Sequence, residues 1–166
     1  MELSPKDKFD KKVVKELAEN WRDTAYMHNI ADTFNEAFKN SKFYIVKAKD
    51  GLKSGLQNIK SVIKFTQFKK DHFNSLSVEF LQSAPSIANK KQASPIKGAG
   101  ELAMYEAVKY AKQKNIDDVV LYSTNDGFYD NIKLPKDSTM PGFSLYILKS
   151  ANFDEFLDRI KTKYNL

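Results

Sequence analysis

A helix set between two short apolar segments constrains this chain more than any other feature. Within Glu101–Lys114, Leu102, Tyr105, Val108 and Ala111 recur at the spacing of a helix with one buried stripe. Upstream stands the apolar segment Leu76–Leu81, ending in Ala84-Pro85, and downstream stands Asp118–Tyr122. Both read as strands. Residues 82–97 are polar and interrupted by Pro85 and Pro95, so they form a loop. This strand-loop-helix-strand order predicts two strands lying side by side.

The remaining chain falls into simpler pieces. Ser4-Pro5 reads as a cap and first helical residue, with Asp7 in the first turn. Phe9, Val13, Leu17 and Trp21 follow at four-residue spacing, and Ile30, Phe34 and Phe38 mark a second helix ending near Asn40. The first 40 residues therefore read as helical, with Trp21 in the core. From Lys42 the period changes to that of strands. Lys42–Lys49 alternates, Asp50-Gly51 is a turn signal, and Ile59–Phe68 is a second strand, so an antiparallel meander is expected. Residues 126–133 read as a helical turn and Phe143–Leu148 as a last strand. Asn152 with Glu155 three positions on resembles a capping box, opening a helix whose face is Phe153, Phe156, Leu157, Ile160 and Tyr164.

At 166 residues one domain is expected, with a helical part at 1–40, a core at 42–148 and a C-terminal helix at 152–164. The 42% hydrophobic content, with 12 Phe and 8 Tyr, supports a packed globule. With no cysteine, disulfides, thiolate metal sites and cysteine nucleophiles are excluded. No apolar run approaches the roughly 20 residues of a membrane span, and Met1-Glu2-Leu3-Ser4-Pro5 is not a secretory signal. A cytoplasmic protein is expected. The net charge of +6 is uneven: residues 39–97 carry 12 basic and 3 acidic side chains, while the flanking segments are slightly acidic. Such a surface attracts an anionic ligand or serves as a lysine-rich solvated face.

Three constellations bear on chemistry. Gly98-Ala99-Gly100 opens the central helix, and helix-head amides unobstructed by side chains suit an anion, although two glycines there also serve as a plain turn. A dinucleotide fingerprint is excluded, because no third glycine follows at the required spacing, and no Gly-Lys-Ser/Thr marks a Walker loop. Leu81-Gln82-Ser83-Ala84-Pro85 ends a strand with a residue that lacks an amide. Ser123-Thr124-Asn125-Asp126-Gly127 leads to Phe128-Tyr129, whose phenol can deliver a proton or sit as a buried aromatic. His28 and His72 lack a second ligand at metal spacing, so no metal is expected.

In this order the three constellations resemble the acyl-coenzyme A core of the GCN5-related N-acetyltransferase (GNAT) family over roughly residues 42–148. The resemblance implies an α/β fold with a mixed, mainly antiparallel central sheet flanked by helices. The glycine loop resembles the family's pyrophosphate loop, Arg or Gln, two residues, Gly, one residue, Gly or Ala. Gly98 and Gly100 match, the first position falls on Pro95, and Lys97 supplies a charge. In that family the fourth strand splays from the fifth and acyl-coenzyme A enters as a pseudo-strand, so Leu76–Leu81 and Asp118–Tyr122 should diverge at their C-terminal ends. The segment between strand and Phe-Tyr is compressed, and Ile132-Lys133-Leu134 replaces the usual Leu-Gly-Phe. The implied cofactor contacts are Gln82, Ser83, Ala84, Lys97, Gly98, Ala99, Gly100, Glu101, Asn125 and Phe128.

The activity implied is transfer of an acetyl group from acetyl-CoA to a primary amine, with Tyr129 as general acid and Glu79 as general base. The acceptor stays open among small amines, antibiotics, protein N-termini, lysines and aminoacyl-tRNA. No membrane partner is expected, and a homodimer is compatible with the reading. The rival is a non-catalytic protein using its basic face for nucleic acid or an acidic partner, since Phe65 and Phe68 interleave with lysines in Lys60–Lys70.

Overall fold

The computed structural model describes residues 2–6, 16, 19–21, 41–49, 59–84, 98–124 and 126–166, with backbone alone for 2–6, 41–49 and 59. Among these the strands are β1 (Glu2–Lys6), β2 (Ser41–Lys49), β3 (Ile59–Lys70), β4 (Phe73–Ser83), β5 (Asp118–Ser123), β6 (Lys136–Met140) and β7 (Phe143–Lys149). The helices are α1 (Ala99–Gln113), α2 (Asp126–Asn131) and α3 (Phe153–Tyr164), the last preceded by a 3-10 turn at Ser150–Asn152. Neighbouring strands are hydrogen-bonded in the order β1-β2-β3-β4-β5-β7-β6. The chain divides into two units, residues 1–64 with 80–103 and residues 65–79 with 104–166, and β3, β4 and α1 contribute to both. No helix among the described residues is long and apolar enough to cross a membrane.

In the first unit, β1 pairs antiparallel with β2, from Glu2↔Lys49 to Lys6↔Ile45. The helix expected to open at Ser4-Pro5 does not open there, because both residues lie in β1. Among the described strands β1 is the outermost, a position at which a proline without an amide hydrogen is tolerated. The other elements expected within residues 7–40 lie outside the described residues, except that Trp21 is buried and Asn20 Nδ2 donates to the Glu16 carbonyl at 2.8 Å. Val62, Ile63, Phe80, Ala99, Leu102 and Ala103 are buried. The Ser61 hydroxyl donates to the Ala99 carbonyl at 2.9 Å, tying β3 to the head of α1.

In the second unit, β4 and β5 run parallel from Ser75↔Asp118 to Val78↔Leu121. A crossover through α1 returns the chain in the same direction, as a helix connection between neighbouring strands does. β5 pairs antiparallel with β7 from Asp118↔Lys149 to Ser123↔Ser144, and β7 with β6, with an irregularity between Lys136 and Ser138. β6 was not expected. Its residues are almost all exposed, so no apolar alternation announces it. One side of these strands, with Phe65, Leu76, Val78, Val119, Leu121, Tyr146 and Leu148, is buried, as are Met104, Ala107, Val108 and Ala111 of α1 and Phe153, Phe156, Leu157 and Ile160 of α3. α3 starts at Phe153 as expected, but Asn152 makes no side-chain cap hydrogen bond. Its first turn carries Asp154 and Glu155 and its last Lys161 and Lys163, each complementing the helix dipole.

Candidate functional site

The first unit holds the glycine loop and the end of β4. Gly98 has a φ of +93°, a conformation that needs glycine, and its carbonyl accepts the Leu102 amide at 2.9 Å. It therefore turns the chain into α1, whose first residues Ala99 and Gly100 are buried and whose first turn carries Glu101. At a helix start the first amides have no carbonyl four residues back, which makes this end electropositive. On β4, Gln82 and Ser83 are half-buried, and Gln82 Nε2 donates to the Ser83 carbonyl at 2.9 Å. Ala84 is buried and its amide donates to the Lys60 carbonyl at 2.9 Å, so that amide is already engaged with β3. Lys97 and Asn125 lie outside the described residues.

The second unit holds Glu79 and the Phe-Tyr pair. The β4–β5 ladder ends at Val78↔Leu121, whereas β4 continues to Ser83 and β5 to Ser123. The strands expected side by side are so, with their pairing confined to the N-terminal part of each. Glu79, the first residue past the ladder, is exposed, and the Thr66 hydroxyl donates to its Oε1 at 2.7 Å. Phe128 and Tyr129 sit half-buried on α2, with ring centroids 4.9 Å apart in an edge-to-face pair. The Tyr129 ring also meets Tyr146 at 5.4 Å. The segment 132–134 terminates α2: the Ile132 and Leu134 amides donate to the Phe128 and Tyr129 carbonyls, Lys133 adopts a φ of +57°, and Ile132 and Leu134 are buried.

Around Tyr129 stands a polar cluster that the sequence reading missed. Lys136 Nζ lies 3.1 Å from Asp126 Oδ2 and 3.2 Å from Asp130 Oδ2. The Ser144 hydroxyl donates to Asp126 Oδ2 at 2.7 Å and the buried Tyr146 hydroxyl to Asp130 Oδ1 at 2.8 Å. These bonds fasten one side of α2 to β6 and β7. The Ser144 hydroxyl, followed by Lys136, holds the Asp126 carboxyl below its usual range. Asp126, then Asp130, hold the Lys136 ammonium above its own. Burial, followed by the bond to Asp130, pushes the Tyr146 phenol up to about 12. The signal available was the four-residue spacing of Asp126 and Asp130, which puts both on one side of a helical turn.

Other sequence candidates separate. Phe65 is fully buried against Tyr110, with centroids 5.1 Å apart, whereas Phe68 stays half exposed. His72 is exposed in the turn after β3, and among the described residues no group of His, Asp or Glu could hold a metal.

No family model and no curated protein matches the sequence. Solved structures do resemble it. A GNAT-family acetyltransferase from Listeria monocytogenes has a TM-score of 0.60 at 8% identity, covering 89% of this chain and 94% of that one. Arabidopsis thaliana NAA60, solved in complex with acetyl-CoA, has a TM-score of 0.59 at 10% identity, covering 90% and 99%. A conserved protein of unknown function from Enterococcus faecalis has a TM-score of 0.59 at 12% identity; 82% of this chain aligns with only 33% of that longer protein. The chain thus has the acyl-CoA N-acyltransferase-like fold of the GNAT acetyltransferases.

Proposed function

We propose that this chain is an N-acetyltransferase that moves an acetyl group from acetyl-CoA to a primary amine. One observation carries the reading: β4 runs on as extended chain to Ser83 after its parallel ladder with β5 has ended at Val78↔Leu121. Extended backbone past the end of a ladder has the form that an extended ligand pairs with in strand addition. The likeness to a protein solved with acetyl-CoA supports the same reading.

The head of α1 supports the same reading. The positive φ of Gly98 at the head of a 15-residue helix suits a diphosphate, with Lys97 supplying charge and Ala99, Gly100 and Glu101 the helix-head contacts. The family resemblance adds Gln82, Ser83, Ala84, Asn125 and Phe128 as proposed contacts, Ala84 by means other than its engaged amide. Bound acetyl-CoA supplies a thioester carbonyl carbon and a thiolate leaving group. Glu79 takes the first proton from the acceptor ammonium, and the freed amine nitrogen forms its bond to the carbonyl carbon as the C–S bond breaks. Tyr129 gives its phenol proton to the departing thiolate, a suitable match for a group with an ordinary value of about 10. The second nitrogen proton passes to water.

Acetyl-CoA should raise the melting temperature of the protein well beyond ADP, which shares only the nucleotide end. Equal shifts, or none, would remove the acyl carrier from the reading. Tyr129→Phe keeps the ring and removes the hydroxyl, so turnover should fall by about 10²–10⁴ while stabilisation by acetyl-CoA persists. Full turnover in that variant would make water the proton source.

A further inference from the structure

The last pair of the β4–β5 ladder, Val78↔Leu121, has both side chains buried. Because strand side chains alternate, the next residue on each strand, Glu79 and Tyr122, faces the opposite side, and both are exposed. Tyr122 is 65% exposed, unusual for a ring inside a strand paired through Leu145 of β7. Its ring meets Phe143 edge-on, with centroids 5.6 Å apart, and Phe143 is itself the cross-strand partner of the exposed Met140. A carboxylate held by the Thr66 hydroxyl thus shares one side of the sheet with two aromatic rings and a thioether. Exposed apolar side chains gathered this way mark a contact surface. Aromatic faces beside a carboxylate favour an organic cation over a neutral or anionic group.

We propose that this corner selects the acceptor as an alkylammonium, a primary amine on an unbranched hydrocarbon stem. The inference rests on the acetyl-transfer reading and names its substrate class. The ammonium takes the Glu79 carboxylate and the Tyr122 ring; the stem lies over Phe143 and Met140. An alkylamine, with a value of about 10.4, arrives fully charged at neutral pH, whereas an α-amino group near 7.7–8.0 does so only in part. An arylamine arrives uncharged. The positive charge that draws the acceptor in is the proton Glu79 then removes.

The test is equilibrium titration of the full chain by NMR at pH 7 with n-pentylamine, 1-pentanol and aniline. Pentylamine should bind at least about tenfold more tightly than either neutral analogue. Shortening the stem should weaken it by about twofold per methylene, as for partly buried hydrocarbon. Glu79→Gln should abolish the preference for amine over alcohol. Tyr122→Thr should weaken amine binding, and Tyr122→Phe should restore it, since the ring face and not the hydroxyl is invoked. Equal binding of amine and alcohol, or a preference that survives both Glu79→Gln and Tyr122→Thr, would overturn the proposal. Thermal stabilisation by acetyl-CoA, measured alongside, separates the two readings. Stabilisation without amine preference removes the corner alone; amine preference without stabilisation keeps the ammonium site and removes acetyl transfer.

Discussion

Tyr146→Phe isolates the bond that anchors the underside of the Tyr129 helix. The substitution removes one oxygen and leaves the ring, including its contact with Tyr129 and the Lys136 ammonium 5.5 Å from its centroid. What is lost is the 2.8 Å hydrogen bond to Asp130, together with a long 3.4 Å contact to the Asp126 carbonyl. A bond to a charged acceptor is worth about 1.5–3 kcal/mol net, but Asp130 is exposed and keeps Lys136, so solvent and the second partner reduce the loss to about 1 kcal/mol. For a chain of this length that is a fall of about 2–4 °C in Tm. The pH dependence gives a sharper check. The folded phenol lies at about 12, above its unfolded value near 10, so the folded state holds this proton more tightly. Its contribution is complete below pH 10 and disappears as pH rises through 12, and the Phe variant has nothing to lose. Urea titrations of both proteins at pH 8 and pH 11 should therefore show a difference that shrinks at the higher pH. A difference unchanged between the two, or a loss above about 3 kcal/mol at pH 8, would refute the assignment of the energy to this hydroxyl.

Two further outcomes follow from the same geometry. Asp126→Asn should lower stability at neutral pH, and the deficit should vanish as pH falls through the depressed Asp126 value, where the wild-type carboxylate is also neutralised; denaturant midpoints at pH 7 and pH 2 check this. Gly98→Ala should cost about 1–3 kcal/mol without any ligand, because a side chain at a φ of +93° is strained, and a thermal melt of unchanged midpoint would show that the turn does not require glycine.

Elements that bury a stripe were legible from the sequence. β3, β4, β5, β7, α1 and α3 each place apolar residues at the period of their own geometry, and each was found within a few residues of its ends. The two edge strands were not. β1 contains Ser4-Pro5, which reads locally as a helix start and is overruled by pairing with β2. β6 has no buried side chain and exists because β7 lies beside it across the Pro141-Gly142 turn. That turn was not read from the sequence either; in the structure Gly142 takes a φ of +89°. The glycine loop and the Phe-Tyr pair were legible as contiguous motifs. The Asp126, Asp130, Lys136, Ser144 and Tyr146 cluster was not, because it joins three elements at separations that no local period encodes.

The irregularity in β6 decides the sign of a charge. From Met140↔Phe143 back to Ser138↔Leu145, β6 and β7 advance residue for residue, and then Lys136, not Asp137, stands opposite Tyr146. Had the strands kept step, Asp137 would occupy that place and Lys136 would face Ile147 on the other side of the sheet. Asp126 and Asp130 would then meet a third carboxylate in place of their ammonium, and the helix carrying Tyr129 would be pushed from the sheet instead of drawn to it. A single extra residue in an exposed strand thus converts repulsion into attraction. Shortening the chain by Asp137 would therefore leave the lysine opposite Tyr146 and the attraction intact.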